Sequence, residues 1–587
     1  MFASAHMPSP DRAAMGRLLA AAERITADMV PDNEAGAAYL ESLGEARRLN
    51  SALWATQEEL DYAEYKLWAA HERVLGYIID PGAPKASNRL LLRELFIHGF
   101  RCAYDEASGT FFFPSAAQSG GYVRARDFSF TPGLEEPVLI IWDDVAPEFG
   151  VAYNITVVSR DYIYSYRLIF TGLPIVQISG VADEQMSRDF IGCGFSLVYY
   201  DQGLRRVESA AKIRHRGASS MQYPKKPYML RLVDRRGYNN MPLLGMRDGS
   251  AWILDAMYVD RSKMRNRVST DIWNSFSSPL AHESISPEFI SNGTRGRFVE
   301  LFIGDEYRGL YCMTETINRR QLGLLRYNPL IGVQSMRFKG EVWADAILMR
   351  GYAPGPLPGH NTWGGWRQDF PDPRRGLPVF WEPIYNFVRF NVNSCDEQFA
   401  ARVADYIDIN NFVDYTILIS IIFAFDNNGK NLIWSIYDIN DPELSRIFLT
   451  PWDLKASFGD SWKFGRTNPD FSWIDISVDA PMWRRLVNTN AGGFRDKLEA
   501  RWRELRHAQL SPESLKGHFR AYFDLFEATG AWEREMARWP REEFGDVSLA
   551  GEREYIFDWI ERRWAFVDDL FDGRLDELQH NIHGRRY

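Results

Sequence analysis

At 587 residues, 45% hydrophobic and 25% charged, the chain is too long for one hydrophobic core and is expected to fold as several domains. Its formal charge of -10 argues against a generic nucleic-acid binder, which would present a basic face. Four cysteines lie far apart with no C-x-x-C pair, which excludes a cysteine-based zinc module and reads as scattered thiols rather than a disulfide framework.

The 19 Trp read first as core, since aromatic rings bury large areas. Residues 18–22 are too short an apolar run for a secretory signal, and no stretch approaches the roughly 18 apolar residues that span a bilayer. Cytoplasmic synthesis and no membrane span are the expectation.

Residues 11–78 read as helical, with apolar positions such as Leu60, Leu67 and Trp68 at helical spacing, so 1–80 is taken as a helical segment. The Asp80-Pro81-Gly82-Ala83-Pro84 run breaks the pattern. Short apolar runs at 110–113, 138–142, 152–158 and 162–170, parted by turn residues, predict a small β-sandwich-like module over 85–171.

A third region, 172–587, starts with strands expected near 194–200, 210–216 and 227–233, then a helix from Arg261 to about Phe276 and strands at 297–303 and 310–313. The Gly-, Pro- and Trp-rich stretch between about 330 and 380 reads as an insertion or substrate-facing loop. An apolar helix over 407–425, strands at 432–437 and 446–449, and helices after about 480 complete the chain.

Three constellations carry chemistry. Arg216-Gly217-Ala218-Ser219-Ser220, followed by Pro224-Lys225-Lys226-Pro227-Tyr228, sets glycine and hydroxyl residues in a turn that phosphate can approach, with lysine on the returning strand. Alone this signal is weak, and His215 beside it reads as a packed strand residue. Asp426-Asn427-Asn428-Gly429-Lys430-Asn431 has the D-x-x-x-x-N spacing of a kinase catalytic loop: an Asp for the attacking hydroxyl, an Asn for metal. A polar loop capping a helix is its bland reading. Asp453, 27 residues on at a strand end, stands where a metal-binding Asp is expected. Glu315 ends a strand at the position of an interlobe hinge, and Asp260 reads as the cap of the helix that carries Arg265.

On these residues the chain resembles the CotH spore-coat kinase family. The matching pieces are R-G-x-S-S with P-K-K-x-Y (216–228), D-R-S-x-x-R-N (260–266), 306–311 with Glu315, the 426–431 loop and Pro451-Trp452-Asp453 to Phe458-Gly459. The resemblance implies an α+β fold, a two-lobed atypical protein-kinase-like domain preceded by the helical segment and the β-sandwich-like module. It implies ATP with Mg²⁺ (or Mn²⁺) and transfer of a phosphoryl group to Ser or Thr of a protein substrate. Asp426 would then be catalytic and Asn431 and Asp453 metal-binding. Gly217, Ser219, Ser220, Lys225 or Lys226, Arg265 and Glu315 would face the nucleotide. Spore-coat or cell-surface association goes with the resemblance.

Two departures stand out. Lys455 occupies the position where many family members carry a second acid, and Met221 one where a basic residue is common. They leave open a weak or inactive binding protein of the same fold. An ATP-dependent transferase acting on a carbohydrate or small molecule is the other alternative.

Overall fold

The computed structural model describes residues 11–115, 121–351, 355–461, 465–470, 480–541, 547–572 and 574–575. The expected helical continuation beyond 575 lies outside the described residues. All four cysteines are free thiols.

The N-terminal helical run divides into α1 (Ala13–Ala22), α2 (Glu34–Ser51) and α3 (Gln57–Ile78). The breaks are written in the caps. The Asn33 side chain accepts from the amides of Ala35 and Gly36, and Thr56 forms a reciprocal capping box with Glu59. Leu60, Ala63, Leu67 and Val74 of α3 close a core with Met15, Leu19 and Ala22 of α1.

Next, a sheet that includes Thr110–Phe113, Ala152–Val158 and Tyr162–Phe170 lies near a three-stranded sheet of Leu92–Ile97, Phe100–Arg101 and Phe128–Pro132. Both contribute to one core: Leu95 and Ile97 from the smaller, Phe111, Ile155 and Leu168 from the larger.

Seven strands follow: β1 (Ile175–Ser179), β2 (Ile191–Tyr200), β3 (Leu204–His215), β4 (Tyr228–Asp234), β5 (Ala251–Asp255), β6 (Gly296–Ile303) and β7 (Glu306–Glu315). They pair in the order β1-β2-β3-β4-β5-β7-β6, and β6 returns to β1 in parallel, so the sheet closes into a barrel. Closure satisfies every strand edge and gives alternate residues an interior. Val176, Leu197, Ile213, Leu230, Leu254, Val299 and Met313 fill it. The opposite face of β6 and β7, through Phe298, Leu310 and Cys312, joins a larger core with α4 (Arg265–Phe276) and the C-terminal helices.

Helix α4 begins four residues later than expected, because Lys263 takes a left-handed φ of 63° and the Asp260 carboxylate accepts from the Arg265 amide at 2.7 Å.

A second sheet contains β8 (Met336–Gly340), β9 (Trp366–Phe370), β10 (Leu432–Ile436) and β11 (Phe448–Pro451), in the order β9-β8-β10-β11 with Thr362–Trp363 at the β9 edge. This corrects the reading of 330–380 as an insertion. The run supplies two strands of this sheet, and Trp363, Trp366 and Trp381 are buried, which spends their aromatic surface on packing. Helix α5 (Ile409–Ile422) is apolar nearly all round and lies inside the large core, ended by Phe423 at φ 53°. Helices α6 (Pro512–Thr529), α7 (Ala531–Arg538) and α8 (Leu549–Phe571) pack over this core. The fold is α+β.

Candidate active site

The site forms at the open end of the β10–β11 hairpin. Leu432 pairs with Pro451, so Asn431 and Asp453 flank the same pair of strand ends. Both are held in the left-handed region at φ 56°, a conformation that Asn and Asp tolerate better than most residues and that costs free energy. Asn427, fully buried, ties the two strands together by donating to the carbonyls of Asn431 (2.9 Å) and Trp452 (2.8 Å). Tyr415 of α5 donates to the Asn427 carbonyl at 2.5 Å and Trp483 to that of Asn428 at 3.0 Å, so the 426–431 loop is fixed from the core side. The side-chain oxygens of Asn427 and Asn428 are buried without a hydrogen-bond partner.

Asp426 is nearly buried, and its Oδ2 accepts from the Asn431 side-chain amide at 2.7 Å. Burial, assisted by the nearby Asp453 charge, raises its pKa above the usual carboxylate range against the pull of Lys430 and Lys455. For Asp453 burial also pushes upward, but the Lys455 ammonium 3.1 Å away, with Arg216 and Lys339, outweighs it and holds the carboxylate below its usual range. Lys455 is in turn raised: burial would lower it, but the Asp453 and Asp255 charges prevail.

The segment after Asp453 is anchored through α4. Asn266 accepts from the Leu454 amide at 2.9 Å and donates to Asp255 at 3.0 Å. The Arg216 guanidinium lies 5.7 Å from the centre of the Trp452 ring, which brings the Gly217 turn against this segment. Gly217 itself is required there. Its φ is 103°, and a Cβ would meet the Ser220 hydroxyl at 1.9 Å. Ser219 is exposed and Ser220 half-buried on the same turn.

The structure therefore brings together Asp426, Asn431 and Asp453 and sets the Gly217 turn beside them through Arg216. Other expected residues are engaged elsewhere. Lys225 is fully buried, donating to Glu535 of α7 at 2.6 Å and to the Leu310 carbonyl at 2.5 Å. Lys226 caps the turn itself, donating to the carbonyls of Met221 (2.7 Å) and Tyr223 (2.5 Å). Arg265 corrects the expectation of a phosphate-facing group: it is fully buried, with Asp260 at 2.8 Å, Glu552 at 3.2 Å and Asp460 at 3.6 Å. Three carboxylates leave that guanidinium no need of a ligand. Glu315 is likewise absorbed. Its carboxylate accepts from the amides of Arg247 (2.9 Å) and Arg295 (2.8 Å), and its own amide donates to the Arg295 carbonyl (3.0 Å).

The sequence reading missed Arg216 and Lys339 as the cations near Asp453, and Glu535 as the partner of Lys225. Only the motif residues Arg216 and Asn266 left a local trace. Lys339 sits mid-strand on β8, and its pKa is lowered by burial and by Arg367 and Arg216 despite Glu341.

An α+β protein with two carboxylates, an amide and several cations converging on a hairpin end is equipped to hold and neutralise an anionic group. Residues 213–567 match the family described as CotH kinase protein, and the chain belongs to that family. Membership gives it a kinase-like role. No curated protein matches the chain. Among the described residues no helix is long and apolar enough to cross a membrane.

Proposed function

We propose that the protein is an ATP- and Mg²⁺-dependent phosphotransferase acting on Ser or Thr of a protein, with the barrel and the β8–β11 region as the two lobes of a kinase-like domain. The observation that carries this reading is the Asp426–Asn431 hydrogen bond of 2.7 Å beside Asp453 at one hairpin end.

Among the described residues no three His, Cys, Asp or Glu side chains cluster to hold a metal, so a cation would rest on few protein ligands. That fits Mg²⁺, which is commonly held by one or two carboxylates and completed by substrate phosphates and water. Asp453 and the Asn431 side-chain oxygen, whose amide nitrogen is spent on Asp426, would hold it. Bound MgATP supplies the phosphoryl group and part of the charge neutralisation. Asp426 orients the acceptor hydroxyl and takes its proton, and Asn431 fixes the carboxylate that does so. Arg216, Lys339 and Lys455 offset charge on the phosphoryl oxygens, which in phosphoryl transfer is most of what a protein must do.

A second reading, a weakly active nucleotide-binding protein, is favoured by the Lys455–Asp453 contact of 3.1 Å, which competes with a cation for the carboxylate. Incubating the chain with labelled ATP, Mg²⁺ or Mn²⁺ and protein and carbohydrate acceptors, with mass spectrometry of the products, tests both. Phosphoserine or phosphothreonine is expected. Nucleotide binding without any transfer would favour the second reading, and label on sugar alone would replace the protein substrate.

A further inference from the structure

A cleft of about 250 Å³ separates α1 and α3 from the Ala125–Phe130 wall of the β module, remote in sequence from the site above. It is smaller than pockets that take drug-sized ligands, and it suits a group of side-chain size. Helix α3 presents Glu64, Trp68 and Glu72 to it at i, i+4 and i+8, one stripe of the helix. Tyr65 and Trp68 stack with ring centres 6.4 Å apart, and Phe128 and Phe130 face them. Among the described residues Glu64 and Glu72 have neither an ion pair nor a hydrogen bond, although both are partly buried. The Arg17 guanidinium across the cleft donates from Nε to the Ser129 hydroxyl at 2.9 Å and lies 4.0 Å over the Phe96 ring; its Nη2 is buried without a hydrogen-bond partner, and its charge pulls Glu64 downward without forming an ion pair with it. His71, also lining the cleft, is 3% exposed, and its Nδ1 has no hydrogen-bond partner.

We propose that this cleft binds an alkyl diammonium cation, with one ammonium on each of the Glu64 and Glu72 carboxylates and its alkyl body against Trp68 and Tyr65. Unpaired carboxylates, a buried unpartnered imidazole and aromatic faces together are complementary to a desolvated organic cation. Eight residues of helix separate the two carboxylate positions by about 12 Å, a span that a diamine or polyamine bridges and a single ammonium does not. A free diamine and a pair of lysine side chains of another protein share this chemistry.

The cleft is also sensitive to pH. Burial raises Glu64, with help from Asp61, and raises Glu72, each to about 7. The other groups facing them are Asp11 before α1, Arg17 on α1, Tyr65 on α3, Arg126 and Asp127 on the opposing wall, and His71, which burial lowers to about 4 and so keeps neutral. Both glutamates gain charge as pH rises through about 7, so cation binding strengthens in that direction.

Calorimetric titration of the full chain at pH 8 with 1,5-diaminopentane, with spermidine and with a short lysine peptide, using 1,5-pentanediol as the neutral analogue, tests the proposal. Saturable binding of the ammonium probes and none of the diol is expected, weakened about tenfold by Glu64→Gln or Glu72→Gln and also by lowering the pH to 6. The tighter of free amine and peptide identifies the source. Because Gln removes a buried charge, neither variant should melt below the wild type at pH 8, so weakened binding cannot be assigned to unfolding. Absence of saturable binding, or equal binding by both variants and at both pH values, would overturn it.

Discussion

Two charge clusters built from neighbouring motif residues behave in opposite ways. Around Arg265, the buried carboxylates Asp260, Asp460 and Glu552 are met by buried Arg265, half-buried Arg261 and exposed Arg466, in one network joining α4 to α8. At the hairpin end, Asp426 and Asp453 face Lys430, Lys455 and Arg216, but Asn431 and Asp453 are backbone-strained, Asp453 is partly exposed and two amide oxygens are left unpaired. The first cluster satisfies itself and holds the fold. The second leaves polar groups unsatisfied. Motif membership alone does not separate the two roles; the saturation of each group does.

This contrast can be broken by substitution. Arg265→Ala would leave three carboxylates buried around the vacated position, and a loss of about 3–5 kcal/mol in folding stability is expected. Denaturant unfolding checks it, and a variant as stable as the wild type but deficient in nucleotide binding would return Arg265 to the site. Lys225→Met strands Glu535 in the same way, and a loss of about 3 kcal/mol is expected, smaller because Lys225 serves one carboxylate where Arg265 serves three. Lys455→Ala releases Asp453, so the divalent-cation concentration that half-saturates nucleotide binding should fall by about three- to fivefold, roughly the worth of one partly exposed ion pair. Lys226→Ala removes a turn cap alone. Less than about 1 kcal/mol of stability should be lost and transfer should stay within a few-fold of the wild type.

What the sequence disclosed follows the range of the interactions. The Asp426 and Asn431 pair was legible because five residues in one loop fix it, and Asp453 because a short hairpin connects it to them. The helical and β-rich textures of the first 171 residues were legible from periodicity. The barrel was not. Its closure rests on the parallel return of β6 to β1, across more than a hundred residues of chain, and strand periodicity says nothing about which edges meet. The Lys225 partner was hidden for the same reason, since Glu535 lies 310 residues away. Arg216 and Lys339 come from separate strands far apart in the chain, so no spacing announces them; Lys455 showed only as a departure from the motif. The 330–380 stretch misled because its Gly and Pro suggested loop while its tryptophans were packing β8 and β9.

The central claim, that Asp426 does chemistry while its surroundings hold the nucleotide, is tested most directly by measuring transfer rate and MgATP affinity together in Asp426→Ala. A fall in rate of about 10²–10⁴ with affinity changed by no more than a few-fold is expected. Undiminished transfer in that variant would contradict the account.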